Sequence, residues 1–474
     1  MIGGLRLELR DVAPIVSADL DINRINIVGG KNGTGKSTAS KLLYCFLKVN
    51  SSDRYKLVHL TIRNYLDEIY LYFDILSIED TNLSKIAHNV KELSRKLIGP
   101  YYEGKLDEVI NFFYEIEPSI NDFLEKAKLD KSLFDSRVYG IDTHSPTESI
   151  YFKVRKIKRI FNSIKEDSSD FFKEVMSVLL SSEFDIDLNH FTESNQSLYY
   201  RINYAKFYDF LNSNFSFEVK LNDMGKEFES EGEFYVRDVI YLESFSIYDN
   251  SSLERECFHI QDLNEYLPGG EYMSTDDDVD EDVPMELYEI QNGSLDKLEK
   301  IVNSIVGGVI VEGEFNEMCF VSNDSNYSSV MKNTASGIKQ IAFIQTLLHN
   351  PSLGEGSVLI MDEPEVNLHP EWQVKFARIL VLLAKERNIT LYINTHSPMF
   401  IEAMDTFSEY YDFEEYVNYY LTEKSEDNKY GFEFKKVPSD ELYLIYDNLG
   451  DPYDYLDRVR LSKGRGESID DIDF

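Results

Sequence analysis

Eight consecutive residues constrain this chain more than any other stretch: Gly30-Lys31-Asn32-Gly33-Thr34-Gly35-Lys36-Ser37 fits GxxxxGK[ST]. The motif needs a strand in front of it and a helix behind it, and both are legible. Ile25-Asn26-Ile27-Val28 reads as a buried strand, and Lys36 to Val49 (KSTASKLLYCFLKV) as a buried helix. In that setting glycines let backbone N–H groups wrap phosphates, and the helix N-terminus adds a favourable dipole. The expected cradle for ATP is Gly30, Asn32, Gly33, Gly35, Lys36, Ser37 and Thr38, with Lys36 reaching the outer phosphates and the Ser37 hydroxyl on Mg²⁺.

Three later segments answer to it. Val358-Leu359-Ile360-Met361-Asp362-Glu363-Pro364 is an apolar run ending in two carboxylates, the pattern of a buried strand delivering acids to the edge of a parallel sheet. Asp362 suits the Mg²⁺ shell and Glu363 suits polarising an attacking water, because phosphoryl transfer needs mainly positioning and charge stabilisation. By itself the pair would be only an acidic turn. Leu391-Tyr392-Ile393-Asn394-Thr395-His396-Ser397-Pro398 is a second core strand with a polar end, from which His396 could donate to a γ-phosphate or serve structure alone. The same four letters recur at Thr143-His144-Ser145-Pro146 after no convincing strand, and that copy reads as coincidence. Asn333 to Gln340, with Ser336-Gly337 inside it, precedes an apolar helix (Ile341 to Leu348), where a helix cap is the plain reading.

Composition removes whole classes. A net charge of −37 excludes a uniformly basic nucleic-acid binder. With 43% hydrophobic and 13% aromatic residues the chain can build a core, so disorder is excluded too. Cys45, Cys257 and Cys319 are far apart and in no CxxC spacing, as expected of reduced, buried thiols. No signal peptide is legible, and no apolar run approaches the ~20 residues of a membrane helix. The reading is a soluble, cytosolic protein with no membrane contact.

The chain divides by texture. Residues 1–50 carry alternating strands (Leu5, Leu7, Leu9; Ile15 to Leu20) and the glycine-rich loop. Residues 51–234 show helical spacing, at Leu57 to Ile75, Leu83 to Leu97, Leu106 to Lys128 and Phe171 to Leu180, without a sustained heptad. Residues 235–474 return to strands, with hairpins expected at Gly308 to Val321 and Tyr416 to Val437, and end in an acidic tail. The acidic run Ser274 to Asp282 reads as a solvated loop. The expected fold is therefore an α/β P-loop NTPase head, discontinuous and split by a helical insertion.

The order of the motifs resembles the ATP-binding-cassette class of ATPases, in the branch of RecF, SMC and OLD proteins. The similarity runs over LRLELRDVAPI…INIVGGKNGTGKST and MDEPEVNLHPEW…NTHSPMFIEAM, roughly residues 1–50 and 235–450. It implies that Ser336 and Gly337 contact the γ-phosphate held by a second subunit, that Glu365 to His369 crosses the interface, and that a homodimer or higher oligomer shares composite ATP sites. Two departures stand out. The family's Mg²⁺-covering glutamine cannot be placed, since no Gln occurs between Ser37 and Ile150 and the first is Gln196. Only 78 residues follow His396, short of the TOPRIM nuclease that OLD proteins append. Stand-alone ATPases of this build resemble those of anti-phage systems of the PARIS (AriA) and Septu (PtuA) kind. That implies a sensor or scaffold with a separate nuclease or toxin as effector and a phage-encoded trigger. The alternative is a RecF- or SMC-like ATPase acting on DNA in repair or chromosome maintenance; a transporter subunit fits the insertion and the motif text poorly.

One basic cluster, Lys153 to Arg159, puts five like charges in seven residues. It reads as a solvated helix face, or as a contact for nucleic acid or an acidic partner.

Overall fold

Alternating leucines build the first strand: in β1 (Leu5–Val12) Leu5, Leu7, Leu9 and Val12 are buried, while the intervening residues reach solvent. The computed structural model describes residues 4–51, 54–76, 81–96, 106–129, 146–166, 169–184, 202–209, 215–222, 225–232, 234–243, 257–265, 298, 300–302, 304, 307–312, 318–322, 328–330, 339, 344, 353–426, 428 and 430–465. The chain forms two compact units. One comprises Met1–Ser51, Leu180–Gly270 and Asp278–Phe474, the other Ser52–Leu179 and Glu271–Asp277.

The first unit is built on one sheet in the order β6-β5-β4-β1-β2-β14-β13-β3-β12-β11-β7. Its strands are β1, β2 (Ile15–Ile22), β3 (Ile25–Gly29), β4 (Ile202–Asp209), β5 (Phe215–Asn222), β6 (Gly225–Gly232), β7 (Val239–Leu242), β11 (Val358–Asp362), β12 (Thr390–Thr395), β13 (Val417–Lys424) and β14 (Phe432–Val437). A separate three-stranded sheet holds β8 (Gly308–Glu312), β9 (Met318–Ser322) and β10 (Ser328–Val330). The centre, β13-β3-β12-β11-β7, is all parallel. Strands β3, β11 and β12 are buried throughout, which is why they read as unbroken apolar runs. Both expected hairpins are present as antiparallel pairs.

Helix α1 (Lys36–Val49) leaves β3 through the glycine loop. Helices α2 (Arg54–Leu76), α3 (Thr81–Lys96), α4 (Leu106–Leu129) and α5 (Pro146–Glu166) belong to the second unit, and α6 (Ser169–Phe184) runs across the boundary at Leu179. Later come α7 (Phe258–Glu265), α8 (Pro370–Arg387), α9 (Pro398–Tyr410) and α10 (Tyr443–Arg465). Each of α8 and α9 starts as its sequence dictates: His369 and Ser397 cap N-terminal N–H groups with side-chain acceptors, and a proline opens the first turn.

The second unit is the helical insertion, but it is shorter than the 51–234 expected from texture. Ile202–Asp209, Phe215–Asn222 and Gly225–Gly232 are strands, not helices. β4 pairs antiparallel with β1 and carries β5 and β6 outward, so the head's sheet continues through text that looked like insertion. Only one face of these strands is apolar at the described positions, with Ala205, Phe207, Phe217 and Val219 buried. Phe207 and Phe217 both pack on Phe46 of α1.

Within the helical unit, Phe73 packs on Phe123 and Phe113 on Phe161, with ring centroids 5.2 and 5.3 Å apart. The basic cluster on α5 is largely consumed here. Lys153 and Lys156 are buried, Lys153 is 2.8 Å from Glu68, and Lys158 is 2.7 Å from Glu117. Only Arg155 and Arg159 are exposed, so the solvated-face reading gives way to internal pairing. The acidic run, the early Thr143-His144-Ser145, Gln196 and the C-terminal tail lie outside the described residues.

Candidate functional site

The C-terminal ends of β3, β11 and β12 put the motifs at one edge of the sheet. Strand β12 lies between the other two, in the registers Val28 with Asn394 and Asp362 with Asn394. The glycine loop leaves β3 with Gly30, Gly33 and Gly35 all at positive φ (156°, 75° and 96°). At Gly30 the reason is also steric: a Cβ there would stand 1.8 Å from Thr422 Oγ1 of β13. That hydroxyl donates to Thr34 Oγ1 at 2.9 Å, and Thr34 donates to Lys31 O at 3.0 Å, tying the loop to the sheet.

Lys31, Asn32, Gly33 and Ser37 are exposed around a buried Lys36, and Thr38 is half-buried. Lys36 Nζ donates to Gly30 O and Lys31 O at 2.9 and 2.8 Å. Burial brings its pKa down to about 8, against the opposing carboxylates of Glu363, Asp362 and Glu365, so it is still an ammonium at pH 7. Gly35 caps α1 without a side-chain acceptor. The first-turn N–H groups of α1 thus have no capping side chain, and a polyphosphate fits that end by charge and by donor count.

Asp362, at the end of β11, is buried and densely hydrogen-bonded. Ser40 Oγ donates to its Oδ1 at 2.9 Å, Asn394 Nδ2 to the same oxygen at 2.6 Å, and the Tyr241 hydroxyl to Oδ2 at 3.0 Å. Burial raises its pKa, while hydrogen bonds from Ser37, Ser40, Tyr241 and Asn394 oppose the rise. A buried carboxylate beside the Ser37 hydroxyl fits a hard divalent cation, so Ser37 and Asp362 would hold Mg²⁺, which supplies charge neutralisation for the phosphates.

Glu363 sits one residue further, at φ 50°, turned out of the strand; its N–H donates to Asn394 O at 2.8 Å. His396 Nε2 is 2.8 Å from Glu363 Oε1. Burial lowers the His396 pKa, as does the Lys36 ammonium, while Glu363 opposes both. The imidazole is therefore neutral at pH 7. Glu365 turns inward: its Oε1 accepts from Thr395 Oγ1 at 2.6 Å and from the His396 N–H at 2.8 Å. Its Oε2 is buried without a hydrogen-bond partner, and burial raises its pKa.

The structure thus gathers Gly30, Lys36, Ser37, Asp362, Glu363 and His396. Ser336 and Gly337 lie outside the described residues. Sequence reasoning missed Ser40, Tyr241, Asn394 and Thr422. Ser40 had a signal, since it stands three residues beyond Ser37 on one helical face. The other three owe their places to register between strands far apart in sequence.

A family profile described as "AAA domain, putative AbiEii toxin, Type IV TA system" matches residues 25–402. Among solved structures the chain is similar to an SMC head domain from Thermotoga maritima, at 10% identity over 91% of this chain and 98% of that one, with a TM-score of 0.33. A second is an Smc head bound to the C-winged helix domain of ScpA (9% identity, 91% and 96%, TM-score 0.36). A third is an Smc head with an extended coiled coil bound to the C-terminal domain of ScpA, derived from Pyrococcus furiosus (8% identity, 94% and 98%, TM-score 0.36).

Proposed function

Since the chain belongs to the AAA-domain family described as putative AbiEii toxin of type IV toxin–antitoxin systems, we propose that it is a Mg²⁺-dependent ATPase of a bacterial anti-phage system whose nucleotide state controls a separate nuclease or toxin. The observation that carries the ATPase reading is the convergence of Lys36 and Asp362 with the Glu363–His396 pair at one sheet edge. Lys36 and the α1 N-terminus would hold phosphates, Ser37 and Asp362 the cation, and Glu363 would orient water. The family description names the domain itself as a putative toxin of a toxin–antitoxin system; the separate effector rests on the resemblance to the PARIS and Septu ATPases. The DNA-repair reading draws less support, because the main basic cluster has Lys153 and Lys158 paired with Glu68 and Glu117. Among the described residues no helix is long and apolar enough to cross a membrane.

The test is a phage challenge of cells carrying this gene with its neighbour. Protection that disappears in Lys36→Ala supports the reading. No protection, or protection indifferent to Lys36→Ala, overturns it, and turnover of the purified protein that rises only with DNA favours the repair alternative.

A further inference from the structure

Away from the nucleotide site, α6, β7 and α7 gather a second group of ligating atoms. Glu183 near the end of α6, Cys257 just before α7 and His259 in its first turn each present a donor atom, all within 4.8 Å of one another. Glu243, the residue after β7, brings a second carboxylate. His259 Nδ1 is 2.6 Å from Glu183 Oε2, and its Nε2 is 3.1 Å from Glu243 Oε2. That Nε2 is buried and makes no aligned hydrogen bond, although it is within ion-pair distance. An ion pair needs only proximity, whereas a hydrogen bond also needs direction.

We propose that Glu183, Cys257 and His259 form a binding site for a divalent transition metal, Zn²⁺ by its ligand chemistry, with Glu243 beside the imidazole Nε2 orienting the ring. A thiolate, an imidazole and a carboxylate, with water in the fourth position, suit a borderline-soft, four-coordinate ion. Mg²⁺ prefers an all-oxygen shell and would leave the thiol unused. Ligands around a tetrahedral ion lie roughly 3.4–3.8 Å apart, so the Glu183, Cys257 and His259 donors, all within 4.8 Å of one another, need shift only by about an ångström.

Charge balances in both states. Without metal, protonated His259 and Lys41, the latter 3.1 Å from Glu243, offset the two carboxylates. Metal entry releases one proton from the imidazolium and one from the Cys257 thiol, and the two charges of the ion replace them. The carboxylates keep both protons in place at neutral pH. Burial alone would lower His259, but Glu183 and Glu243 raise it to about 9, while burial and Glu183 raise Cys257 to about 11. The site lies one side chain from the nucleotide site, since the Tyr241 ring packs 4.6 Å from the His259 ring and its hydroxyl reaches Asp362.

The test strips the full chain with a chelator and titrates it with Co²⁺ in saturating Mg²⁺, which occupies oxygen-ligand sites. One equivalent should produce a near-ultraviolet thiolate-to-Co²⁺ band, removed by Zn²⁺ and absent in Cys257→Ser, whose Zn²⁺ affinity should fall more than about tenfold. Far-ultraviolet dichroism checks the variant's fold. Independently of any variant, Zn-edge absorption of the wild type should show one sulfur among nitrogen and oxygen neighbours. A shell without sulfur, no binding at micromolar metal, or a band that survives Cys257→Ser through Cys45 or Cys319 overturns the proposal.

Discussion

His396 Nε2 lies 2.8 Å from Glu363 Oε1, joining the turns that follow the neighbouring strands β12 and β11. A carboxylate can only accept, so Nε2 carries the proton. Both side chains are partly exposed, 26% and 43%, and an exposed pair contributes little stability. Its value is positional: the contact fixes a carboxylate at the mouth of the glycine loop, beside Lys36.

That placement gives the first prediction. Glu363→Gln keeps shape and hydrogen bonding but removes the charge that would polarise water. ATP should bind with near wild-type affinity, and turnover should fall about 10²–10⁴-fold, the usual worth of a positioned acid–base group. A turnover rate equal to wild type would move the role to another residue.

The second prediction concerns pH. Burial and the Lys36 ammonium hold the folded-state pKa of His396 below its ordinary 6.5. The unfolded chain therefore takes up the proton first as pH falls. Stability from the neutral imidazole is complete above about 6.5 and is lost as pH falls through the lower folded value. Between pH 7 and pH 5 the urea midpoint should drop more in the wild type than in His396→Gln, a comparison that cancels the other titrating groups. Equal drops would mean that His396 titrates as it does in water.

A third concerns the loop's attachment. Gly30→Ala would drive a methyl group into Thr422 Oγ1 and break its bond to Thr34. Nucleotide binding should be lost. Gly33→Ala meets nothing within 4 Å and has only its φ of 75° against it, a penalty of roughly 1–2 kcal/mol. It should bind, more weakly. Binding of a fluorescent ATP analogue separates the two, and equal affinities would show that contact with β13 does not shape the loop.

How much of this was legible follows from where each signal resides. The nucleotide loop, α1 and the ends of β11 and β12 announced themselves because their constraints are local: glycines at positive φ, apolar runs, a carboxylate or histidine at a strand end. Strands β4 to β6 did not. Lys206, Glu218 and Glu229 alternate with the buried residues or reach solvent, so the text looks like any polar segment, and the pairing of β4 with β1, almost two hundred residues earlier, continued by β5 and β6, makes them strands. Asn394 and Tyr241 were hidden in the same way, each reading as part of a core strand until register set it beside Asp362. On α5, charge alone suggested an outward face, and only the opposing Glu68 and Glu117 turned it inward.

The last prediction concerns assembly. One chain brings Lys36, Ser37, Asp362, Glu363 and His396 to a single edge. The resemblance to ATP-binding-cassette ATPases implies that Ser336 and Gly337 act on the nucleotide of a second copy. If so, each chain owns two halves of different sites, and two different lesions can complement. Lys36→Ala removes the ammonium facing the phosphates but keeps the Ser336-Gly337 segment. Gly337→Asp keeps the loop and sets a carboxylate against a γ-phosphate. Each variant alone should be inactive. Mixed in equal amounts and allowed to exchange subunits, they form some dimers with one intact composite site. Because half the dimers from random exchange are mixed and each holds one good site of two, about a quarter of wild-type turnover should return if the sites fire independently. A mixture proven to have exchanged subunits, yet as inactive as its components, would remove the shared site. Turnover by a demonstrated monomer would remove it as well, and would place the whole reaction on the edge that β3, β11 and β12 form within one chain.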